Sequence, residues 1–185
     1  TNTKGNNVVR VHGEEYPVVG TRNVGKRSYL ILKQLGRTRS LAFDPHAGPK
    51  GDLRLLHDLP KDSATRQHVT VLSRLNRLHS TLPVLLEHQV ERDGIVLVTK
   101  WVRGIPLREY LALCRNGMRP WPSPAVAISL FRKMAHGLSQ LHDRLNIVHG
   151  DIHPGNVILA NTPRELVLVD FGSAWLEANA ATREE

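Results

Sequence analysis

Two stretches of the chain decide its fold: IVHGDIHPGNVIL at positions 147–159 and LVLVDFG at positions 166–172. They place three oxygen-bearing side chains, Asp151, Asn156 and Asp170, at intervals of five and fourteen residues. Each lies beside a short apolar run or a tight turn, which holds a side chain in a defined place. Carboxylate and amide oxygens are the ligands that Mg²⁺ takes from proteins, together with phosphate oxygens. The spacing therefore predicts a site for a magnesium-bound phosphate group.

Phosphoryl transfer needs a set of this kind, because one carboxylate orients the attacking hydroxyl while other oxygens hold Mg²⁺ against the phosphates. The two stretches resemble the protein kinase superfamily, including its small-molecule branch of enzymes similar to aminoglycoside and choline kinases. The resemblance spans about residues 29–175. It implies that Asp151 is the catalytic base, that Asn156 and Asp170 bind the metal, and that ATP and Mg²⁺ are the ligands.

The catalytic loop departs from the common protein kinase pattern. By the resemblance, His149 is the structural histidine of the His-Arg-Asp motif and Gly150 replaces the arginine, which argues against control by a phosphorylated activation loop. His153, a second predicted catalytic residue, stands where protein Ser/Thr kinases carry lysine, and its pattern is typical of the antibiotic-kinase branch. The approach over residues 135–151 resembles bacterial Ser/Thr kinases instead. The acceptor is thus Ser/Thr of a protein, which we favour, or a small molecule.

The remaining chain predicts an α+β fold in two lobes. Runs of apolar residues predict five strands, and helical spacing over residues 62–75 predicts a helix after the third strand. The predicted strands lie at 29–32, 40–43, 53–59, 84–90 and 94–98. This order is that of a kinase amino-terminal lobe. We therefore expect a flank over 1–28, a five-stranded antiparallel small lobe over 29–99, and a mainly helical large lobe over 100–185, truncated after the Asp-Phe-Gly motif.

The resemblance assigns phosphate-binding residues to the small lobe, but the residue types have changed. Gly36 is the one glycine kept from a glycine-rich phosphate loop, where Arg37 or Arg39 could contact phosphate instead. His57 occupies the position of the lysine that holds the α- and β-phosphates, and His68 that of its glutamate partner. Histidine titrates near pH ~6.5, so the two histidines cannot supply the constant charges of a Lys-Glu pair.

The hinge between the lobes is predicted at residues 99–102. By the resemblance, Thr99 is the gatekeeper, and the backbone groups of Lys100 and Val102 meet the adenine. The changed phosphate-binding residues leave two functions open. One is an active ATP-dependent phosphotransferase whose phosphate contacts have moved, which the retained Asp151 favours. The other is a pseudokinase that acts as a binding or scaffold module.

Composition narrows the class of protein. A hydrophobic fraction of 41% with 23% charged residues is typical of globular domains. The net charge of +8 is scattered along the chain and aromatic residues are only 5%, so there is no clear nucleic-acid signal. Cys114 is the single cysteine, which fits a cytoplasmic compartment, and no apolar run is long enough for a membrane span. The expected partners are ATP and a protein substrate or partner.

Two further motifs point to different chemistry. GTRNVGK at 20–26 matches most of a P-loop, but Arg27 stands where the magnesium-binding Ser or Thr belongs, and a strand is predicted to follow instead of a helix. GDIH at 150–153 is similar to the opening of a metallophosphoesterase, but no histidine follows His153 to complete a metal pair. Neither motif displaces the kinase-like prediction.

Overall fold

The computed structural model describes residues 7–76, 78–160 and 165–176. The strands are β1 (Val8–Val11), β2 (Glu14–Pro17), β3 (Gly20–Val24), β4 (Arg27–Gln34), β5 (Arg39–Asp44), β6 (Asp52–Leu59), β7 (Leu85–Val90), β8 (Ile95–Lys100), β9 (Gly104–Pro106), β10 (Ile147–Val148), β11 (Val157–Ala160), β12 (Leu166–Leu168) and β13 (Trp175–Leu176). The α-helices are α1 (Ser63–Leu75), α2 (Leu107–Arg115) and α3 (Pro124–Leu145), and short 3-10 helices lie at Pro154–Asn156 and Phe171–Ser173. This mixture of elements agrees with the predicted α+β class.

The chain divides into two compact units. The first comprises Thr1–Thr65 and Leu85–Trp101, and the second comprises Arg66–Val84 and Val102–Glu185. The chain therefore leaves the first unit for the second within the predicted hinge, between Trp101 and Val102. Among the described residues, no helix combines the length and the apolar character that a bilayer span requires.

Six antiparallel strands form the main sheet of the first unit, in the order β3-β4-β5-β6-β8-β7. The prediction of five strands was one short, because β3 pairs with β4 along its whole length, from Gly20 opposite Ile31 to Val24 opposite Arg27. The order of three strands, a helix and two strands is found as predicted in β4 to β8.

The main sheet curls so that its two end strands approach each other. Arg22 of β3 donates to Glu91, just after β7, over 2.6 Å, and Tyr29 of β4 donates its hydroxyl hydrogen to Glu87 of β7. The curl encloses a cluster of buried side chains: Val24, Tyr29, Ala42, Leu56, Val96 and Val98. Burial, and then the bond to Glu87, raises the pKa of Tyr29 above its ordinary value.

The predicted flank over 1–28 contains strands. β1 and β2 pair as a hairpin, with Val11 opposite Glu14. Apolar side chains of this hairpin pack with the second buried cluster of the first unit, which contains Val11, Leu32, Leu41, Phe43 and Leu53 with Val9, Tyr16, Val18, Leu30 and Trp101 at its margin. Most residues of β1 and β2 are only half-buried or exposed, so their apolar pattern is faint in the sequence.

The stretch that matches most of a P-loop is a β-hairpin. Val24 of β3 lies opposite Arg27 of β4, and Gly25 takes a left-handed φ of 56° in the turn between them. A P-loop joins a strand to the first turn of a helix, whose backbone amides cradle the phosphates. The hairpin has no such helix, so the P-loop reading fails here on its structural context.

The second unit holds the catalytic loop between two small sheets. β9, β11 and β12 form an antiparallel sheet in the order β12-β11-β9, and β10 pairs with β13. The long helix α3 starts at Ser123, whose side chain accepts the amide hydrogen of Val126, and ends at Asn146 in the left-handed conformation. Both features are standard helix ends.

Candidate active site

Asp151 and Asn156 are joined directly by hydrogen bonds. The side-chain nitrogen of Asn156 donates to the backbone oxygen of Asp151 and to its carboxylate Oδ2, both over 3.0 Å. Asn156 is 7% exposed, whereas Asp151 is exposed. The buried amide therefore fixes the exposed carboxylate in one orientation, and because its nitrogen is engaged, its oxygen is the atom that can ligate a metal ion.

His149 ties the catalytic loop to the end of β12. It is 1% exposed, its Nδ1 accepts the amide hydrogen of Asp151 over 3.4 Å, and its Nε2 therefore donates to the Val169 oxygen over 3.1 Å. Its ring also packs on Phe171, with centroids 4.4 Å apart. Burial lowers the pKa of His149, which agrees with a neutral ring that uses one nitrogen as acceptor and the other as donor.

Asp170 lies next to the catalytic loop through the backbone. The backbone amide of Val169 donates to the backbone oxygen of Asn156 over 2.9 Å. Asp170, the next residue, therefore begins beside the loop. Asp170 has a left-handed φ of 63°, which is uncommon for a residue other than glycine. Such a conformation persists only where surrounding contacts impose it, and it is often found at functional sites.

Gly150 leaves no room for the arginine of the usual motif. Its φ is 79°, and a Cβ at this position would strike the Ser173 carbonyl oxygen and lie 2.6 Å from Trp175 Cζ3. Trp175 is fixed there because it pairs with Val148 between β13 and β10. The replacement of arginine is thus built into the local packing.

His153 lies beside Asp151 and is held from the other side by a residue that the sequence did not single out. His153 Nε2 is 3.6 Å from Asp151 Oδ2, and His153 Nδ1 accepts the amide hydrogen of Gly155 over 2.9 Å. The guanidinium Nη2 of Arg108 lies 3.3 Å from the same Nδ1. Arg108 comes from the first turn of α2.

The predicted nucleotide-binding residues other than Val102 belong to the first unit. Gly36 lies at the tip of the β4–β5 hairpin, where its oxygen accepts from the Gln34 side chain over 2.8 Å. His57 of β6 pairs with Arg39 of β5, whose Nε lies 3.5 Å from His57 Nε2.

Two of the predicted hinge residues lie at the end of an interior strand of the same sheet. Thr99 and Lys100 end β8, opposite Leu55 and Arg54 of β6. Arg54 is 7% exposed and its guanidinium bonds to Asp52 over 2.6 Å, so this arginine is engaged inside the first unit. The remaining hinge residue, Val102, is half-buried and opens the segment that belongs to the second unit.

The donor set of the second unit fits a magnesium ion. Mg²⁺ takes one or two side-chain oxygens from a protein and fills its other positions with water and phosphate. Asn156 and Asp170 offer that number of oxygens. Among the described residues there is no group of three or more His, Cys, Asp and Glu side chains that could hold a metal. A metal pair of the metallophosphoesterase type therefore has no ligand set in this part of the chain.

Comparison with known proteins gives the class to which this fold and site belong. The sequence matches the protein kinase domain over residues 55–184, so the chain belongs to the protein kinase domain family. The match begins after Gly36 and includes every other predicted site residue. The predicted superfamily is thereby confirmed.

Three similar proteins carry the names of protein kinases, and two of those names specify Ser/Thr. The chain is 32% identical over 113 residues to serine/threonine-protein kinase VIK of Arabidopsis thaliana, covering 60% of this chain and 24% of that protein. It is 28% identical over 158 residues to serine/threonine-protein kinase C of a Synechocystis species, covering 78% of this chain and 28% of that protein. It is 27% identical over 119 residues to mitogen-activated protein kinase kinase kinase 1 of Rattus norvegicus, covering 64% of this chain and 7% of that protein. The chain thus spans less than a third of each relative.

Proposed function

We propose that this chain catalyses ATP-dependent phosphorylation of a hydroxyl group, with Ser or Thr of a protein as the preferred acceptor. The observation that carries the proposal is the pair of bonds from the Asn156 amide to Asp151. A buried amide that orients an exposed carboxylate, next to a second carboxylate at Asp170, is the donor set that phosphoryl transfer uses. The family and the Ser/Thr kinase relatives support the same reaction.

Each residue has a separate task in this reaction. Asp151 orients the attacking hydroxyl and accepts its proton, and the bond from Asn156 keeps the carboxylate in place while it does so. The Asn156 oxygen and the Asp170 carboxylate would hold Mg²⁺, which supplies charge neutralisation for the phosphates of ATP. His149 holds the loop and the Asp170 segment together through its two ring nitrogens.

Replacing Asp151 by Asn tests the proposal, because Asn keeps the oxygen that accepts from Asn156 but cannot take up the proton. We expect phosphate transfer to a generic protein substrate to fall by at least about 100-fold. Binding of Mg-ATP, followed by thermal shift, should persist. Asp143→Asn is the matched control, since Asp143 is an exposed residue of α3 that bonds to Ser139. Equal transfer by both variants would contradict the proposal.

A second candidate is a pseudokinase that binds partners without transferring phosphate. What favours it is the residue types: β6 carries His57, which the resemblance assigns to the lysine position, and α1 carries His68, which it assigns to the glutamate position. Wild-type protein that shows no transfer and no thermal shift with Mg-ATP would favour this candidate. A small-molecule acceptor, which the His153 pattern suggests, is tested by offering an aminoglycoside beside the protein substrate.

A further inference from the structure

Arg108 reaches the catalytic loop because β9 pairs with β11. Pro106 lies opposite Ile158 in this pairing, so the first turn of α2, which follows Pro106, comes level with the loop that leads into β11. Gly104 permits the close pairing, since a Cβ there would strike the Leu159 carbonyl oxygen. The strand pairing therefore fixes where the Arg108 side chain starts.

The Arg108 guanidinium lies against two residues of the catalytic loop. Its Nη2 is 3.3 Å from His153 Nδ1. A Cβ on Gly155 would lie 2.6 Å from Cε1 of the His153 ring and 3.0 Å from Arg108 Nη2, so the glycine makes room for the ring and for the guanidinium beside it. The amide of Gly155 donates to His153 Nδ1 as well, over 2.9 Å.

These contacts decide which nitrogen of His153 carries the proton. Arginine is always protonated and has only donors, and a backbone amide is also a donor. Because both neighbours of Nδ1 are donors, Nδ1 is the acceptor, and the proton of the neutral ring is on Nε2. That nitrogen lies on the side of Asp151, 3.6 Å from Oδ2. The ring therefore presents an N–H group towards the proposed base.

We propose that Arg108 is a positioning residue, which acts through His153 to hold an N–H group beside the Asp151 carboxylate. Asp151 then has two donors near Oδ2, the Asn156 amide and the His153 ring, and together they hold its carboxylate in one orientation. The catalytic part of this role rests on the proposed function. The contact itself concerns only residues of the second unit.

The test compares Arg108→Met and Arg108→Gln with Arg115→Met, a control at the exposed end of the same helix. We expect the two Arg108 variants to lower kcat by about 10-fold or more, as a small misplacement of catalytic groups does, with KM for ATP changed by less than about twofold. Arg108→Lys should regain part of the rate. Arg115→Met should match the wild type.

A second readout does not depend on activity. Side-chain nitrogen shifts of His153, measured by NMR on protein labelled with nitrogen-15 histidine, report which ring nitrogen carries the proton. Wild type and Arg115→Met should show a protonated Nε2 and an acceptor Nδ1. Loss of the arginine donor in Arg108→Met and Arg108→Gln should shift the Nδ1 resonance, while the Gly155 amide keeps Nδ1 as the acceptor.

The two readouts separate the failure of this role from the failure of the reaction. Identical nitrogen shifts in wild type and both Arg108 variants would overturn the proposal, as would an unchanged kcat in an enzyme shown to transfer phosphate. If the wild type transfers no phosphate but the Arg108 variants still move the His153 shifts, the positioning contact stands and the proposed reaction fails.

Discussion

Gly150→Ala should destabilise the second unit by more than the left-handed backbone alone explains. An alanine at a positive φ costs about 1–2 kcal/mol, because its Cβ crowds the following carbonyl oxygen. At Gly150 the new Cβ also strikes the Ser173 oxygen and approaches Trp175 Cζ3 to 2.6 Å. Forcing an extra carbon into packed surroundings costs about another 1–3 kcal/mol. The expected loss in the free energy of unfolding is therefore about 2–5 kcal/mol.

Gly117→Ala is the matched control, because it isolates the backbone contribution. Gly117 has a φ of 69°, close to the 79° of Gly150, but nothing lies within 4 Å of where its Cβ would be. Both substitutions remove the same flexibility from the unfolded chain. The difference between the two variants therefore measures the steric contact with Ser173 and Trp175.

Urea denaturation of the wild type and the two variants, followed by circular dichroism, gives the three free energies. We expect Gly117→Ala to lose about 1–2 kcal/mol and Gly150→Ala at least about 1 kcal/mol more. A loss at Gly150 no larger than that at Gly117 would refute the reasoning. It would mean that the β10–β13 pair can move aside, and that the arginine of the usual motif is absent for some other reason.

Three other predictions follow from single contacts. First, below about pH 6.5 the wild type should lose up to about 1.4 kcal/mol of stability per pH unit, because the unfolded chain protonates at His149 while the folded state keeps its ring neutral. His149→Gln should reduce this dependence of the free energy of unfolding on pH, measured by denaturation at several pH values. An unchanged dependence would contradict the assignment to His149. Second, Gly137→Ala in α3 should destabilise by about 1–3 kcal/mol instead of stabilising as alanine usually does in a helix, because its Cβ strikes Thr81 Oγ1. Adding Thr81→Ala should restore part of the loss, and additive effects in this double-mutant cycle would disprove the contact. Third, Arg39→Met should weaken ATP binding by about tenfold in calorimetry, because Arg39 carries the charge beside His57. Arg92→Met, at an exposed position just after β7, is its control, and equal affinities of these two variants would show that Arg39 does not contact phosphate.

The catalytic loop could be predicted from sequence because its contacts are local. Asp151, His153 and Asn156 lie in one short segment, so their types and spacing already imply that they meet. Helix α1 and the strands from β4 to β8 were also predictable, since helical spacing or runs of apolar residues mark them. Such periodic patterns reflect burial on one face or on both.

The features that the sequence did not predict depend mostly on contacts between residues far apart in the chain. Arg108 meets His153 across 45 positions, and only the pairing of β9 with β11 brings them together. The steric constraint that excludes a side chain at Gly150 likewise comes from Ser173 and Trp175. These residues lie more than twenty positions away, so no local sequence pattern predicts the contact. The hairpin of β1 and β2 escaped prediction because it buries few of its own residues.

The curl of the main sheet also affects how this protein meets other protein chains. Unpaired edge strands are the usual sites at which sheets of separate molecules join and aggregate. Here the end strands β3 and β7 are turned towards each other, and a Cβ on Gly25 would lie 3.4 Å from the Gln89 side-chain oxygen. The seam between them is bridged by Arg22 and Glu91. Each end strand thereby shields the other from pairing with a strand of another molecule. Because β3 and β7 are not joined by backbone hydrogen bonds, the seam between them can still open without breaking a ladder of such bonds.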